Sequence, residues 1–151
     1  MDDELGDFVD SDLDSETLPG TTTTAVVRDA FLFRYGAQAY AMAAGDVEGV
    51  VPWRAPVPLP RADPRVRGVI QDRGRIVVLL AHPTGEPRSE EDAAVTRVVI
   101  CPTAKGYVGL PASTTLRVGQ VRFAREPHAL ATVDCEDGVV TFLEPAQYVM
   151  K

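Results

Sequence analysis

Apolar positions along this chain come in short runs broken by turn-forming residues, with almost no helical periodicity. The run Val66-Arg67-Gly68-Val69-Ile70-Gln71-Asp72-Arg73-Gly74-Arg75-Ile76-Val77-Val78-Leu79-Leu80 shows it best. β-Branched residues fill both arms, and Gly74 in the gap supplies the positive φ that a tight reversal needs. This predicts a buried hairpin whose Arg73 and Arg75 stay in water. A first hairpin is predicted upstream, from Ala30–Tyr35 through Gly36-Ala37 to Gln38–Met42. Asp46 is expected to cap a short helical turn leading to Val50 and Val51. Pro52 to Pro60 cannot be a central strand, because each Pro lacks an N–H, and reads as a stiff extended connector.

Past Leu80, the segment from His82 to Asp92 carries Pro83, Gly85 and Pro87 and reads as an exposed loop. Strands are then predicted at Thr96–Cys101, Gly106–Leu110 and Leu116–Phe123. A hairpin from Ala129–Asp134 to Val139–Leu143 follows, closed by Glu136-Asp137-Gly138. Pro145 to Met150 suits a terminal helical turn. The two halves resemble each other. Tyr40 and Tyr107 occupy equivalent places 67 positions apart, and Asp72-Arg73-Gly74 and Glu136-Asp137-Gly138 do so 64 apart. This suggests an internal duplication, hence an all-β fold of two β-barrel halves with about five strands each.

The 151 residues suffice for one hydrophobic core, and 45% hydrophobic content is ordinary for a globular chain. The formal charge of −7 is concentrated: eight of the 22 acidic residues precede residue 17, leaving 14 acids against 15 basic residues. The rest is nearly neutral, which argues against a nucleic-acid partner. Residues 1–28 are expected to be a disordered acidic tail, with 29–151 as the folded domain. Leu5, Phe8, Val9 and Leu13 interrupt the acids, so the tail reads either as a solvating leader or as a short motif that folds on a partner. Neither a secretory signal nor an apolar run of about 18 residues is visible, which predicts a soluble, cytoplasmic chain without direct membrane insertion.

Catalytic and metal-binding patterns are weak. Cys101 and Cys135, with His82 and His128, lack the spacing of paired ligands, so no metal and no cofactor is expected. Ser113 is not in a nucleophile elbow, and phosphate loops and metalloprotease motifs are missing. The expectation is a protein that is not an enzyme and binds through a groove or sheet edge.

Val66, Arg67, Gly68, Val69, Ile70, Arg73 and Gly74 resemble the signature of CheW-like chemotaxis coupling domains, roughly V-R-G-V-I-N-L-R-G before an apolar strand. The likeness covers about residues 30–151. Phe33–Met42 resembles the family's opening hairpin, Val47–Pro52 its next segment, and Leu143–Val149 its closing strand and short helix. The resemblance implies two tandem five-stranded SH3-like β-barrel subdomains acting as a non-catalytic adaptor. Such an adaptor links the cytoplasmic tip of a chemoreceptor (a methyl-accepting protein) to the regulatory domain of a chemotaxis histidine kinase, within receptor arrays. It also implies that Val47, Val50, Arg73 and Gly74 lie in or beside the receptor-binding groove. Departures from the pattern are Gln71-Asp72 for Asn-Leu, Val78 and Ala81 for a Pro and an Asp, and Ala112-Ser113-Thr114-Thr115 for Val-Asp-x-Val. An alternative is therefore a divergent member that binds receptor or another adaptor without the kinase. A remoter alternative is a small-ligand or enzymatic barrel.

Overall fold

The computed structural model describes residues 25–60, 63–87 and 94–148. Among the described residues ten strands carry the fold: β1 Val26–Tyr35, β2 Gln38–Ala43, β3 Gly49–Pro52, β4 Val66–Asp72, β5 Arg75–Leu80, β6 Arg97–Thr103, β7 Gly106–Ala112, β8 Thr114–Phe123, β9 Thr132–Cys135 and β10 Gly138–Leu143. Two 3₁₀ turns, Ala44–Asp46 and Pro145–Tyr148, complete it. Among the described residues no helix is long and apolar enough to cross a membrane.

The strands form two five-stranded units, as expected for an all-β chain. One is a closed barrel in the order β9-β10-β2-β1-β8, and the other a sheet in the order β3-β6-β7-β5-β4. Neither unit is a contiguous half of the chain. The barrel takes β1 and β2 from the first half and β8, β9 and β10 from the second; the sheet takes β3, β4 and β5 from the first and β6 and β7 from the second. The halves are equivalent, and they have exchanged their opening hairpins. Both units even use the same parallel contact: Tyr40 of β2 sits opposite Thr141 of β10, and Tyr107 of β7 opposite Val77 of β5. Those pairs reproduce the offsets of 67 and 64 positions read from the sequence.

The exchange explains why the hairpin strands are buried on both faces. Ala30 and Leu32 point into the barrel with Val121, Phe123, Val133 and Val140. Alternate residues of the same strand, Phe31, Phe33 and Tyr35, face the other unit, where they meet Leu80, Val99, Cys101 and Leu110. Val98 and Ile100 of β6 face the sheet's own core with Ile70, Val77 and Leu79. This double burial follows from the period of two in a strand. The interface between the units is therefore continuous hydrophobic core.

The sheet does not close through β3 and β4. The proline-rich connector spans the opening instead: Trp53 N–H donates to the Thr96 carbonyl (3.0 Å), and Val57 and Val69 exchange backbone bonds of 2.8 and 2.9 Å. Gly68 makes this possible. Its φ is +149°, and a Cβ there would lie 2.4 Å from the Val57 carbonyl oxygen. The glycine of the V-R-G-V-I stretch is thus required by chain passing directly over it.

Local details differ from the sequence expectations. β1 begins at Val26, so Val26–Arg28, assigned to the tail, are strand; they pair with Val121, Arg122 and Phe123. Residues 1–24 lie outside the described residues. The turn before β3 is capped by Ala43 without a side-chain bond, and Asp46 is its last residue rather than its cap. Val50 and Val51 lie in β3, paired with Val99 and Val98. The expected strand at Ala129 begins only at Thr132, because Leu130 adopts φ +63°. Of the expected loop from His82 to Asp92, residues 88–92 lie outside the described residues, as do residues 149 and 150 of the closing turn.

Candidate functional site

The candidate binding residues fall on two features: a groove between the units, which takes Val50, and the tip of the β4–β5 hairpin, which takes Arg73 and Gly74.

The groove, of about 390 Å³, is lined by Phe31, Val50, Arg97, Leu116, Arg117 and Val118, with Thr115 at its edge. Its floor comes from the interface, since Phe31 belongs to the shared core and Val47 and Val50 pack against it. Its wall is β8. Leu32 faces Arg117 and Phe33 faces Thr115, so Leu116 is an extra residue on β8, a bulge that interrupts the ladder there. Leu116 is 42% exposed and Val118 68%. Two large apolar side chains thus stand in water beside a half-buried valine, as at sites awaiting a partner. Arg117 is already engaged, with Glu136 at 2.6 Å and Asp137 at 2.9 Å.

At the hairpin tip, Asp72-Arg73-Gly74-Arg75 forms a two-residue turn with φ of +53° at Arg73 and +78° at Gly74. Positive φ at both central residues is the reversal that matches strand twist. Arg73 is exposed and makes no side-chain hydrogen bond to another described residue. Its neighbours are tightly held. Arg75 donates to Asp72 Oδ2 (3.0 Å), is bonded to Glu48 Oε2, and lies over the Tyr107 ring with its guanidinium carbon 4.4 Å from the ring centre. Arg54 donates to the Gln71 carbonyl (2.5 Å) and approaches Asp72 Oδ1 at 3.4 Å.

Asp72, where the CheW-like pattern has an apolar residue, is only 7% exposed. The Arg75 hydrogen bond, with the Arg73 and Arg75 charges and a weaker Arg54 hydrogen bond, holds its carboxyl below the usual carboxylate range against the desolvation that would raise it. The substitution is absorbed inside the hairpin, not displayed on the surface.

The structure links the predicted residues through their neighbours. Glu48, beside Val47, is bonded to Arg75, beside Gly74. Val47 and the Arg73-Gly74 turn therefore share one end of the sheet unit. Val50 lies further along β3 and opens into the groove. Sequence reasoning missed Phe31, Leu116, Val118 and Arg97. The partial alternation of Leu116 and Val118 in β8 was the available signal, but alternation alone does not distinguish a groove wall from an ordinary strand.

His82 and His128 do not join the cysteines. His82 sits edge-on to Tyr35 and Tyr40, with Nδ1 2.8 Å from Thr84 Oγ1. Cys101 is buried in the shared core, and desolvation pushes its thiol up to about 12. Among the described residues no three His, Cys, Asp or Glu side chains converge on a common point.

Paired β units joined through a common core and leaving an apolar cleft define a two-lobed β domain. Residues 29–133 match the CheW-like domain family, and the chain belongs to it. Among solved structures, the chain is similar to the scaffolding protein TtCheW from Thermoanaerobacter tengcongensis. The match has a TM-score of 0.61 and 15% identity, over 79% of this chain and 90% of that one. No curated protein sequence matches this chain.

Proposed function

We propose that the protein is a non-catalytic adaptor of a chemosensory array. It grips the cytoplasmic tip of a chemoreceptor in the groove between its two units and couples it to the regulatory domain of a chemotaxis histidine kinase. The observation that carries this reading is the open apolar groove of Phe31, Val50, Leu116 and Val118 in a domain that also presents the Arg73-Gly74 turn. An amphipathic helix of a receptor tip fits such a groove by its apolar face. Arg73, exposed and uncommitted, adds orientation by bonding to carbonyl or carboxylate groups on that helix. Membership of the CheW-like family and likeness to a scaffolding protein support the same role, and they favour a cytoplasmic protein associated with receptor arrays.

The test is titration of the full chain with a receptor signalling tip and, separately, with the kinase regulatory domain. Binding of both is expected, with the receptor interaction lost in Val50→Asp. Binding of receptor alone selects the divergent adaptor. Binding of neither overturns the proposal.

A further inference from the structure

We infer that the groove has an occupant within this chain: the acidic segment 1–24 folds back along β8 and places Phe8 and its apolar neighbours against Val118, Leu116 and Val50. Three observations carry this. The groove leaves apolar side chains in water, Val118 most of all at 68% exposure. The segment ahead of β1 contains Leu5, Phe8, Val9 and Leu13 among eight acids, with no basic residue before Arg28. On the groove side, Arg97 lines the cleft, and Arg122 lies on the same outward face of β8 as Val118. Neither arginine makes an ion pair among the described residues; one carboxylate, Asp29 of β1, lies diagonal to Arg122 across the β1–β8 ladder. Arg97 donates only to the neighbouring Thr96 carbonyl (3.0 Å), so its charge is not neutralised. A segment that is both acidic and apolar matches an apolar cleft with Arg97 on its lining and Arg122 further along that face of β8.

The path is short. The chain enters β1 at Val26, opposite Phe123, and Val118 lies opposite Phe31, five residues along. At about 3.4 Å per residue that is roughly 17 Å. Thirteen positions separate Leu13 from Val26, and at about 3.3 Å each they reach roughly 43 Å. Pro19-Gly20, between the apolar residues and the strand, supplies the reversal that such a path needs. Val27 is paired with Arg122, so an acidic chain turning back from Val26 meets that arginine first.

A tethered segment needs little affinity. A short tether gives an effective concentration of about 1 mM, so a segment with a dissociation constant of about 0.1 mM weakens a competing ligand about tenfold. The competition rests on the groove being the receptor site; the contact itself does not.

The contact is tested in the full chain by replacing Phe8 with the photo-crosslinker benzoylphenylalanine and mapping the products. Expected are crosslinks within one chain to Val118, Leu116 or Val50, lost in Val118→Asp and reduced in 1 M NaCl, where screening acts within about 3 Å. Crosslinks only between chains, crosslinks elsewhere, no crosslinks, or crosslinks indifferent to Val118→Asp overturn the inference. The competition is tested by converting Leu5, Phe8, Val9 and Leu13 to Ser and titrating a receptor tip, with about tenfold tighter binding expected. Unchanged affinity alongside weakened binding by Val50→Asp overturns the competition and leaves the receptor site standing. If Val50→Asp does not weaken binding, the receptor site falls, and the crosslinks still decide the contact.

Discussion

Arg75 is bonded to Glu48 across 27 positions of sequence, tying the end of the Asp72-Arg73-Gly74 turn to the residue that leads into β3. The same guanidinium holds Asp72 and lies over Tyr107, so the hairpin tip is braced against β7 and against the residue that precedes β3. Arg73 projects from this braced turn without a side-chain hydrogen bond of its own among the described residues.

Arg73→Glu therefore separates binding from folding. The fold should persist with a modest loss of stability, because Arg73 is exposed and only its charge acts on Asp72. Affinity for a receptor tip should fall at least about tenfold, or about 1.4 kcal/mol. Calorimetric titration beside a thermal melt reads both; unchanged affinity counts against Arg73 as a partner contact. Arg75→Ala should weaken both at once, since it releases Glu48 and Asp72 together.

The exchanged hairpins predict one cooperative unfolding transition. Phe123 lies fully buried in the barrel, whereas Trp53, the single tryptophan, packs against the core of the other unit. Phe123→Ala should cost about 3–5 kcal/mol. Tryptophan fluorescence and far-ultraviolet circular dichroism should then shift to the same new denaturant midpoint. If the fluorescence midpoint stays in place, the units unfold independently and the shared core is not cooperative.

Gly68→Ala should destabilise by about 1–3 kcal/mol, because the new methyl meets the Val57 carbonyl. Gly45→Ala, where a Cβ meets nothing within 4 Å, is the control and should be nearly neutral. Urea denaturation of the two variants distinguishes a steric requirement from a general loss of glycine.

Asp72 gives a pH dependence of known sign. Its folded carboxyl is held below the ordinary aspartate value of 3.8. Near that pH and below, the unfolded chain thus binds more protons than the folded one. The stability Asp72 contributes is present above about pH 4 and is lost as pH falls through the depressed value. Asp72→Asn should be less stable than the natural chain at pH 7, and the two should converge in acid. Denaturation midpoints between pH 7 and 2 measure this, and curves that stay parallel would show that the carboxylate is not held as described.

The sequence made the hairpin tip and most strand positions legible, because Asp72-Arg73-Gly74 and Glu136-Asp137-Gly138 carry strong turn chemistry between β-branched arms. It did not make the sorting of strands legible. Alternation records which face of a strand is buried, and Phe31 and Leu32 are both buried whichever half supplies their neighbours. Nor could it place Asp72, since the charge reads as exposed until Arg54, 18 positions away, closes over it. Within the candidate site, Val50 was reachable through the family resemblance. Leu116 was not, because its position follows from a bulge set by the pairing of β8 with β1.

The interlaced hairpins also bear on how the chain arose and how it can be divided. Each half alone has three strands of one unit and two of the other, so it can complete its sheets only with a second half-chain. That is the arrangement of a domain-swapped homodimer whose two copies were later fused. The joint is the stretch between Leu80 and Arg97, and severing it should leave two fragments that are incomplete apart and reassemble when mixed.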